Sequence, residues 1–167
     1  LADPAAEMPA CALALGAVLR VLGPGGARRI AIDDFFHGLY ETALQPGDLL
    51  THVELPIPEP GARFGFAELA RRKGDYAMAG LAMMVGPGAV PDWARVVFFG
   101  VSEAAVRCKA AEAAIVAGAS PQDCAAVACD GVDVFGDLNA SDATKRHYAS
   151  VLLKRELTRI FNDKSTA

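Results

Sequence analysis

The feature that most constrains the fold is the segment 71–77, Arg-Arg-Lys-Gly-Asp-Tyr-Ala, which lies between two short apolar stretches. Stretches of that length and character are typical of buried strands. Gly74 allows a tight reversal with positive φ, and the side chain of Asp75 can hydrogen-bond the turn backbone. The segment therefore predicts two strands joined by a loop that holds Tyr76 in a fixed orientation at its edge.

A tyrosine held at the edge of a loop can cover a flat ligand ring, because its own ring offers a large apolar face. The same seven residues also fit an ordinary hairpin turn with solvated arginines, since exposed basic clusters are common on protein surfaces. Both interpretations stay open on these residues alone.

The composition excludes several classes of function. A chain of 167 residues with 53% hydrophobic residues can form one domain, or two small ones, around a buried core. The net charge of −4 and the scattered basic residues argue against a nucleic-acid partner. No run reaches the roughly 18 apolar residues of a membrane span, so we expect membrane contact to be peripheral at most.

The spacing of the cysteines and histidines indicates no metal site. The four cysteines form no C-x-x-C pair and lie in alanine-rich surroundings, which favours buried thiols in a reducing, cytoplasmic compartment. The histidines are far apart in sequence and lack metal-ligand spacing. Motifs for hydrolases, P-loop proteins and Rossmann folds are absent, so we predict no catalytic side chain.

Local patterns predict an α+β fold. Asp3 and Pro4 read as the N-cap and first residue of a helix to about residue 16, and Asp33 as the cap of a short helical turn. Prolines at 56, 58 and 60 predict a stiff connector. Strands are expected at 17–22, 27–32, 49–57, 63–72, 76–85 and 94–100. The segment 76–85 is ambiguous, because its Ala and Met content favours helix while its brevity between two turns favours a buried strand. Helices are expected at 103–118, 120–129 and 141–161, with Ser120 and Ser141 as the caps of the last two. The strand at 49–57 is expected to alternate strictly, with Leu49, Thr51, Val53 and Leu55 on one face.

Three turns carry acids or an aromatic ring beside apolar segments. Carboxylates suit sugar-like hydroxyls and a tyrosine suits a flat ring, so together these turns are candidates for a nucleotide-type cofactor site. The pairs are Asp3 with Glu7, Asp48 with Leu50, and Asp75 with Tyr76.

Three motifs occur in the order and spacing of one known family. Residues 1–10 resemble A-D-P-x-x-D/E-x-P-A, residues 46–56 resemble P-G-E-L-L-x-x-x-x-I-P, and residues 71–77 resemble R-x-x-G-D-Y-A. All three are motifs of the FAD-binding medium subunit of molybdenum hydroxylases, the xanthine dehydrogenase and aerobic carbon monoxide dehydrogenase family. The resemblance extends along almost the whole chain.

This resemblance implies a division into two parts. Residues 1–57 would be the C-terminal part of the second, PCMH-type FAD-binding subdomain. Residues 62–167 would be the C-terminal domain, a three-stranded antiparallel sheet packed on a three-helix bundle. The chain begins with Leu1 and lacks the family's A-G-G-x-S-L and T-I-G-G-N segments. We therefore expect a fragment of a longer protein that binds FAD poorly by itself.

The resemblance also implies roles for individual residues. Glu7 would contact ribityl or nearby hydroxyls of FAD, and Asp3 would shape the same loop. Asp48 and Leu50 would lie beside the isoalloxazine, and Tyr76, next to Asp75, would cover one flavin face. The strand before the turn lacks a lysine that relatives often have, and Arg71 or Arg72 is the candidate substitute.

The implied function is electron transfer within a heterotrimer. A molybdenum cofactor in a large subunit would oxidise the substrate, and two [2Fe-2S] clusters in a small subunit would pass electrons to this FAD. The flavin would then reduce a quinone, NAD or another acceptor. Two alternatives remain: a non-catalytic docking or assembly module of the same complex that does not retain FAD, and a free-standing NAD(P)H reductase, for which no nicotinamide motif is present.

Overall fold

The computed structural model describes residues 2–162, so the expectations for residue 1 and for residues 163–167 lie outside the described part of the chain. Its N-terminal elements are α1 (Glu7–Leu15), β1 (Val18–Gly23), β2 (Gly26–Ala31), a 3-10 turn (Ile32–Asp34), β3 (Phe36–Gly38), β4 (Glu41–Thr42) and β5 (Leu49–Glu54). Then follow β6 (Arg63–Leu69), β7 (Ala79–Val85), β8 (Ala94–Phe99), β9 (Val106–Arg107), α2 (Lys109–Val116), α3 (Pro121–Ala126) and α4 (Asp142–Asn162).

The α+β class is confirmed, with antiparallel pairing throughout the sheets. One sheet has the strand order β2-β1-β5, a small ribbon pairs β3 with β4, and the second sheet has the order β6-β7-β8-β9. The three strands expected in the second sheet are present, and β9 adds a short fourth strand at the edge of β8. No helix within residues 2–162 has both the length and the apolar character needed to cross a bilayer.

The second sheet is covered on both faces, which explains why β7 is apolar without alternation. Its residues Leu81 and Met83 belong to the core shared with α2, α3 and α4. Ala82 and, on β8, Phe99 point the other way, into a core shared with α1 and the first sheet. The ambiguous segment before Gly86 is therefore a strand buried in the middle of the molecule.

The predicted start of α1 is wrong. The carboxylate of Asp3 accepts the Ala5 N–H at 2.9 Å, and the Asp3 carbonyl accepts the Ala6 N–H at 3.1 Å, so Asp3 closes a separate turn. The helix begins at Glu7, with Ala6 at the N-cap. Pro9 then falls in the first helical turn, where its missing N–H would have no intrahelical partner.

The helix expected from residue 103 begins only at Lys109. Residues 106 and 107 instead pair with β8, which satisfies their backbone groups in the sheet. The capping expectations further along hold, because the Ser120 hydroxyl accepts the Asp123 N–H at 3.2 Å. The Ser141 hydroxyl likewise accepts the Thr144 N–H at 3.2 Å.

Strict alternation along β5 is also wrong, because the register slips by one residue. Arg20 of β1 pairs with His52, but the next residue, Val21, pairs with Leu50. A bulge of this kind leaves one residue unpaired and reverses the order of faces beyond it. Leu50 and Val53 consequently line the same apolar groove.

An ionic cluster joins the first sheet to the second. Asp33 accepts from Arg95 and from Arg107, each at 2.7 Å, and Arg107 also pairs with Glu112 at 2.7 Å. Burial acts to raise the pKa of Asp33, but the hydrogen bonds from the two arginines outweigh it and the pKa is lowered. Asp33 was expected to cap the 3-10 turn; it lies inside that turn, which Ala31 precedes.

Candidate functional site

Two exposed tyrosines and a carboxylate lie on three separate loops, with Tyr40 and Asp3 in direct contact. The Tyr40 hydroxyl donates to the Asp3 carboxylate at 3.4 Å, across 37 positions of sequence. Tyr40 and Tyr76 lie close enough to interact electrostatically, and they are 65% and 68% exposed. We call Asp3, Tyr40 and Tyr76 the tyrosine cluster. It offers two aromatic faces and a hydrogen-bond acceptor to a ligand.

Tyr40 is held in an unusual conformation. Its φ is 57°, and among residues 2–162 it is the only non-glycine residue with a positive φ. Such backbone strain persists where the surroundings fix the residue, and it is frequent at ligand sites. The pKa of the phenol is raised, mainly by the negative charge of Asp3 and further by burial, the hydrogen bond to Asp3 and the nearby Tyr76. Tyr40 therefore stays a protonated donor to Asp3.

Gly100 connects the loops that carry the cluster. Its N–H donates to the Pro4 carbonyl at 2.7 Å, which fixes the loop of Asp3. Its φ is +72°, and a Cβ there would lie 2.6 Å from the Ala77 carbonyl oxygen, directly after Tyr76. Both loops thus pack against a position that only glycine can occupy without strain.

The loop of Tyr76 has the turn predicted from the sequence. The Asp75 N–H donates to the Arg72 carbonyl at 3.1 Å, and Gly74 has φ +88°. The Arg72 side chain is 83% exposed and lies 3.9 Å from the Asp75 carboxylate, a weak pairing. The loop leaves both charged groups free to turn toward a ligand.

The other predicted residues lie in different surroundings. Glu7 is exposed in the first turn of α1, where its charge adds to burial in raising the pKa of the Cys11 thiol. Leu50 lies in a groove of about 420 Å³, whose lining includes none of the three cluster residues. Contacts among the described residues do not bring Glu7 or Leu50 to the tyrosine cluster.

The Asp48 carboxylate is covered by its hydrogen-bond partners near the protein surface. Its side chain is 2% exposed, and both oxygens accept from Arg28, at 2.8 and 2.5 Å. One of these oxygens also accepts the Gln45 N–H at 2.6 Å. Asp48 therefore stabilises the turn before β5 and its junction with β2.

Asp48 gives the fold a predictable dependence on pH. Hydrogen bonds, first from Arg28 and then from the Gln45 N–H, lower its pKa to about 2. The unfolded value is about 3.9. Because the folded pKa is the lower one, the stabilisation is complete above about pH 4 and is lost as the pH falls toward about 2. Urea unfolding should show wild type more stable than Asp48→Asn at neutral pH, with the gap closing through this window. A gap that is the same at every pH would contradict the pairing.

The thiols behave as core residues. Burial raises the pKa of all four, and that of Cys129 to about 11. Within residues 2–162, no three His, Cys, Asp or Glu side chains are grouped so as to hold a metal ion.

Sequence reasoning missed Tyr40, Gly100 and Lys145. Lys145 is buried and donates to the Gly100 carbonyl at 2.6 Å. Tyr40 has no motif of its own, and its partner Asp3 is 37 positions away. The only local signal was Gly100 itself, directly after β8, and a glycine there also fits an ordinary strand end.

The residues present fit part of an FAD molecule. Exposed tyrosine rings suit an isoalloxazine, and the acids near them suit hydroxyl groups. The A-G-G-x-S-L and T-I-G-G-N segments, whose backbone donors would bind a diphosphate, do not occur in the sequence.

Two family profiles match the chain in succession. Residues 1–58 match the FAD binding domain in molybdopterin dehydrogenase. Residues 64–160, more than half of the chain, match the CO dehydrogenase flavoprotein C-terminal domain.

Individual relatives agree with these profiles. The caffeine dehydrogenase subunit beta of Pseudomonas sp. strain CBB1 is 30% identical over 164 residues, covering 95% of this chain and 56% of that protein. The carbon monoxide dehydrogenase medium chain of Afipia carboxidovorans is 42% identical over 83 residues, which are 50% of this chain and 29% of that protein.

Solved structures share the fold. Reconstituted CO dehydrogenase from Oligotropha carboxidovorans superposes with a TM-score of 0.88 at 30% identity, covering 99% of this chain and 59% of that chain. Carbon monoxide dehydrogenase from Hydrogenophaga pseudoflava gives a TM-score of 0.89 at 29% identity, covering 96% and 57%. The chain thus spans little more than half the length of these proteins. It belongs to the CO dehydrogenase flavoprotein family, the FAD-binding medium subunits of molybdenum hydroxylases.

Proposed function

We propose that this chain is the part of a medium subunit that holds the isoalloxazine end of FAD in an electron-transfer complex. The observation that carries the proposal is the convergence of the Asp3 loop and the Tyr76 loop on Gly100. These loops contain the family's A-D-P and G-D-Y motifs, which are more than 60 positions apart in sequence.

In this proposal, bound FAD supplies the redox chemistry and the protein supplies position and environment. Tyr76 would lie against one face of a bound flavin ring and would exclude water from it. Asp3 keeps the Tyr40 phenol in place through their hydrogen bond, so that Tyr40 forms a second wall. We assign no catalytic acid or base among residues 2–162.

The remaining predicted contacts stay part of the proposal. Glu7 would accept from the ribityl hydroxyls, and Arg72 with Asp75 would border the flavin from the exposed side of their loop. Leu50 lies in the apolar groove apart from the tyrosine cluster, so its predicted place beside the isoalloxazine requires the bound ring to extend toward that groove. Asp48 would act indirectly, because Arg28 already occupies its carboxylate.

The proposed organisation has two parts, residues 1–57 ending an FAD-binding subdomain and residues 62–167 forming the C-terminal domain. The whole subunit would work in the cytoplasm with an iron–sulfur small subunit and a molybdenum-binding large subunit. Electrons would pass from [2Fe-2S] clusters through FAD to an external acceptor. The names of the relatives, which are medium chains and subunits of dehydrogenases, support an assembly of this kind.

A docking role without FAD is the second candidate. It is favoured by the exposed apolar side chains that border the groove, among them Met8 at 79% and Leu55 at 54% exposure. Such a surface is typical of a site that another polypeptide covers. The two candidate functions predict different effects of Tyr76→Ala on flavin binding and subunit assembly.

We expect Tyr76→Ala in the full-length subunit to weaken FAD binding by about tenfold, since a stacked aromatic pair contributes about 0.5–1.5 kcal/mol beyond area burial. The fluorescence of bound flavin should rise, because a stacked phenol quenches it by electron donation. Flavin titration followed by fluorescence measures both quantities. Tyr76→Phe retains the ring and is the matched control, with affinity near wild type. Unchanged flavin binding and emission in Tyr76→Ala, with impaired subunit assembly, would favour docking instead.

A further inference from the structure

Lys145 is a buried cation that the proposed site does not explain. It lies in the first turns of α4 and its side chain is 6% exposed. Its ammonium group donates to the Gly100 carbonyl at 2.6 Å and to the Asp137 carboxylate at 2.7 Å. Burial of a charge is costly unless it is paired and hydrogen-bonded, and both conditions are met here.

The position of Lys145 in its helix is electrostatically unfavourable. A helix N-terminus favours anions, so a lysine in the first turns of α4 works against the helix dipole. The helix is already anchored by apolar residues further along, including Leu153 and Leu157, which are fully buried. Docking of α4 therefore does not require a cation at residue 145.

The first contact of Lys145 reaches the loops of the tyrosine cluster through Gly100. The Gly100 carbonyl accepts from the ammonium, while its N–H holds the Pro4 carbonyl at 2.7 Å. Its Cα faces the Ala77 carbonyl. Movement of Gly100 would shift the two loops together.

The second contact reaches the loop of Tyr76 by another route. Asp137 accepts the N–H groups of Asn139 and Ala140 at 2.7 and 3.0 Å, and the Asn139 side chain accepts from Arg71 at 3.3 Å. Burial acts to raise the pKa of Asp137, but hydrogen bonds, first from Lys145, lower it. Asp137 is thus an anion paired with the lysine.

We infer that Lys145 is a positioning residue for the flavin site, acting through Gly100 and through Asp137 to fix the loops of Asp3 and Tyr76. The inference rests on the proposed function, because it concerns where those loops hold the cofactor. It assigns a role in the site to a side chain of the C-terminal helix that does not contact the cluster itself.

The test compares Lys145→Met with Lys154→Met in the full-length subunit. Methionine keeps the apolar stem and removes the charge, and Lys154 is an exposed lysine on the same helix. Hydrogen exchange of the apoprotein should show the Gly100 amide and residues 71–77 opening at least about tenfold more often in Lys145→Met only. With FAD added, the same variant should bind about tenfold more weakly and emit more flavin fluorescence.

The results of this comparison distinguish a positioning role of Lys145 from a purely structural one. A lower melting temperature with unchanged exchange at Gly100 and unchanged flavin emission would make Lys145 a purely structural residue and overturn the inference. If Lys145→Met does not fold, Asp137→Asn weakens the same pairing more mildly. That variant must then shift exchange at residues 71–77 and flavin emission in the same direction, and no shift would overturn the inference. If wild type itself binds no FAD, the proposed function fails, whereas the exchange result still decides whether Lys145 holds the loops.

Discussion

Phe99→Ala is expected to lower the free energy of unfolding by about 3–5 kcal/mol. Phe99 is fully buried at the end of β8, and its ring stacks on Phe66 with centroids 5.9 Å apart. It also covers Gly80, where any side chain would overlap the ring. Truncation would leave a cavity in the core shared by α1 and the second sheet.

Urea denaturation of wild type and variant measures this change. Phe64→Ala is the matched control, because Phe64 is an aromatic residue of β6 that is 47% exposed. Its replacement should cost about 1 kcal/mol or less, as expected for a partly exposed position. Equal losses of unfolding free energy in the two variants would mean that Phe99 does not anchor the core shared by α1 and the second sheet.

Gly100→Ala is expected to lower the free energy of unfolding more than a Gly→Ala change at a position that has the same φ but open space around the new Cβ. At φ +72° an alanine costs about 1–2 kcal/mol in conformational strain. The new Cβ would lie 2.6 Å from the Ala77 carbonyl oxygen, and overpacking of this kind adds about 1–3 kcal/mol. Relief of the contact would displace the loop that carries Tyr76, so FAD affinity should fall as well.

Gly131→Ala is the matched control, because it introduces the same backbone strain without a close contact of the new Cβ. Gly131 has the same φ of +72°, and a Cβ there meets nothing within 4 Å. Thermal and urea unfolding should therefore show Gly131→Ala losing only the strain energy, with FAD binding unchanged. Equal stability and equal FAD affinity in the two variants would contradict the role of Gly100 as the junction of the loops.

Local chemistry made the turn at residues 71–77 predictable. Gly74 has the expected positive φ, and the arrangement depends on neighbouring residues only. The serine caps of α3 and α4 were predictable for the same reason. The family could also be recognised from the sequence, because each of its motifs is a contiguous stretch of residues.

Features that depend on distant residues were not predictable. Tyr40 is positioned by its contact with Asp3 across 37 residues, and the bulge in β5 arises from its pairing with β1. Asp3 was assigned to the start of α1, but its side chain closes a turn whose loop is tied to Gly100. Sequence patterns report local propensity, whereas these details follow from tertiary contacts.

The most direct test of the central proposal is an FAD titration of the wild-type medium subunit. Absorbance difference spectra should report saturable binding of one FAD per subunit, with a flavin spectrum that changes in Tyr76→Ala. Absence of saturable binding, or a bound spectrum indifferent to Tyr76, would contradict the assignment of this chain to the isoalloxazine site.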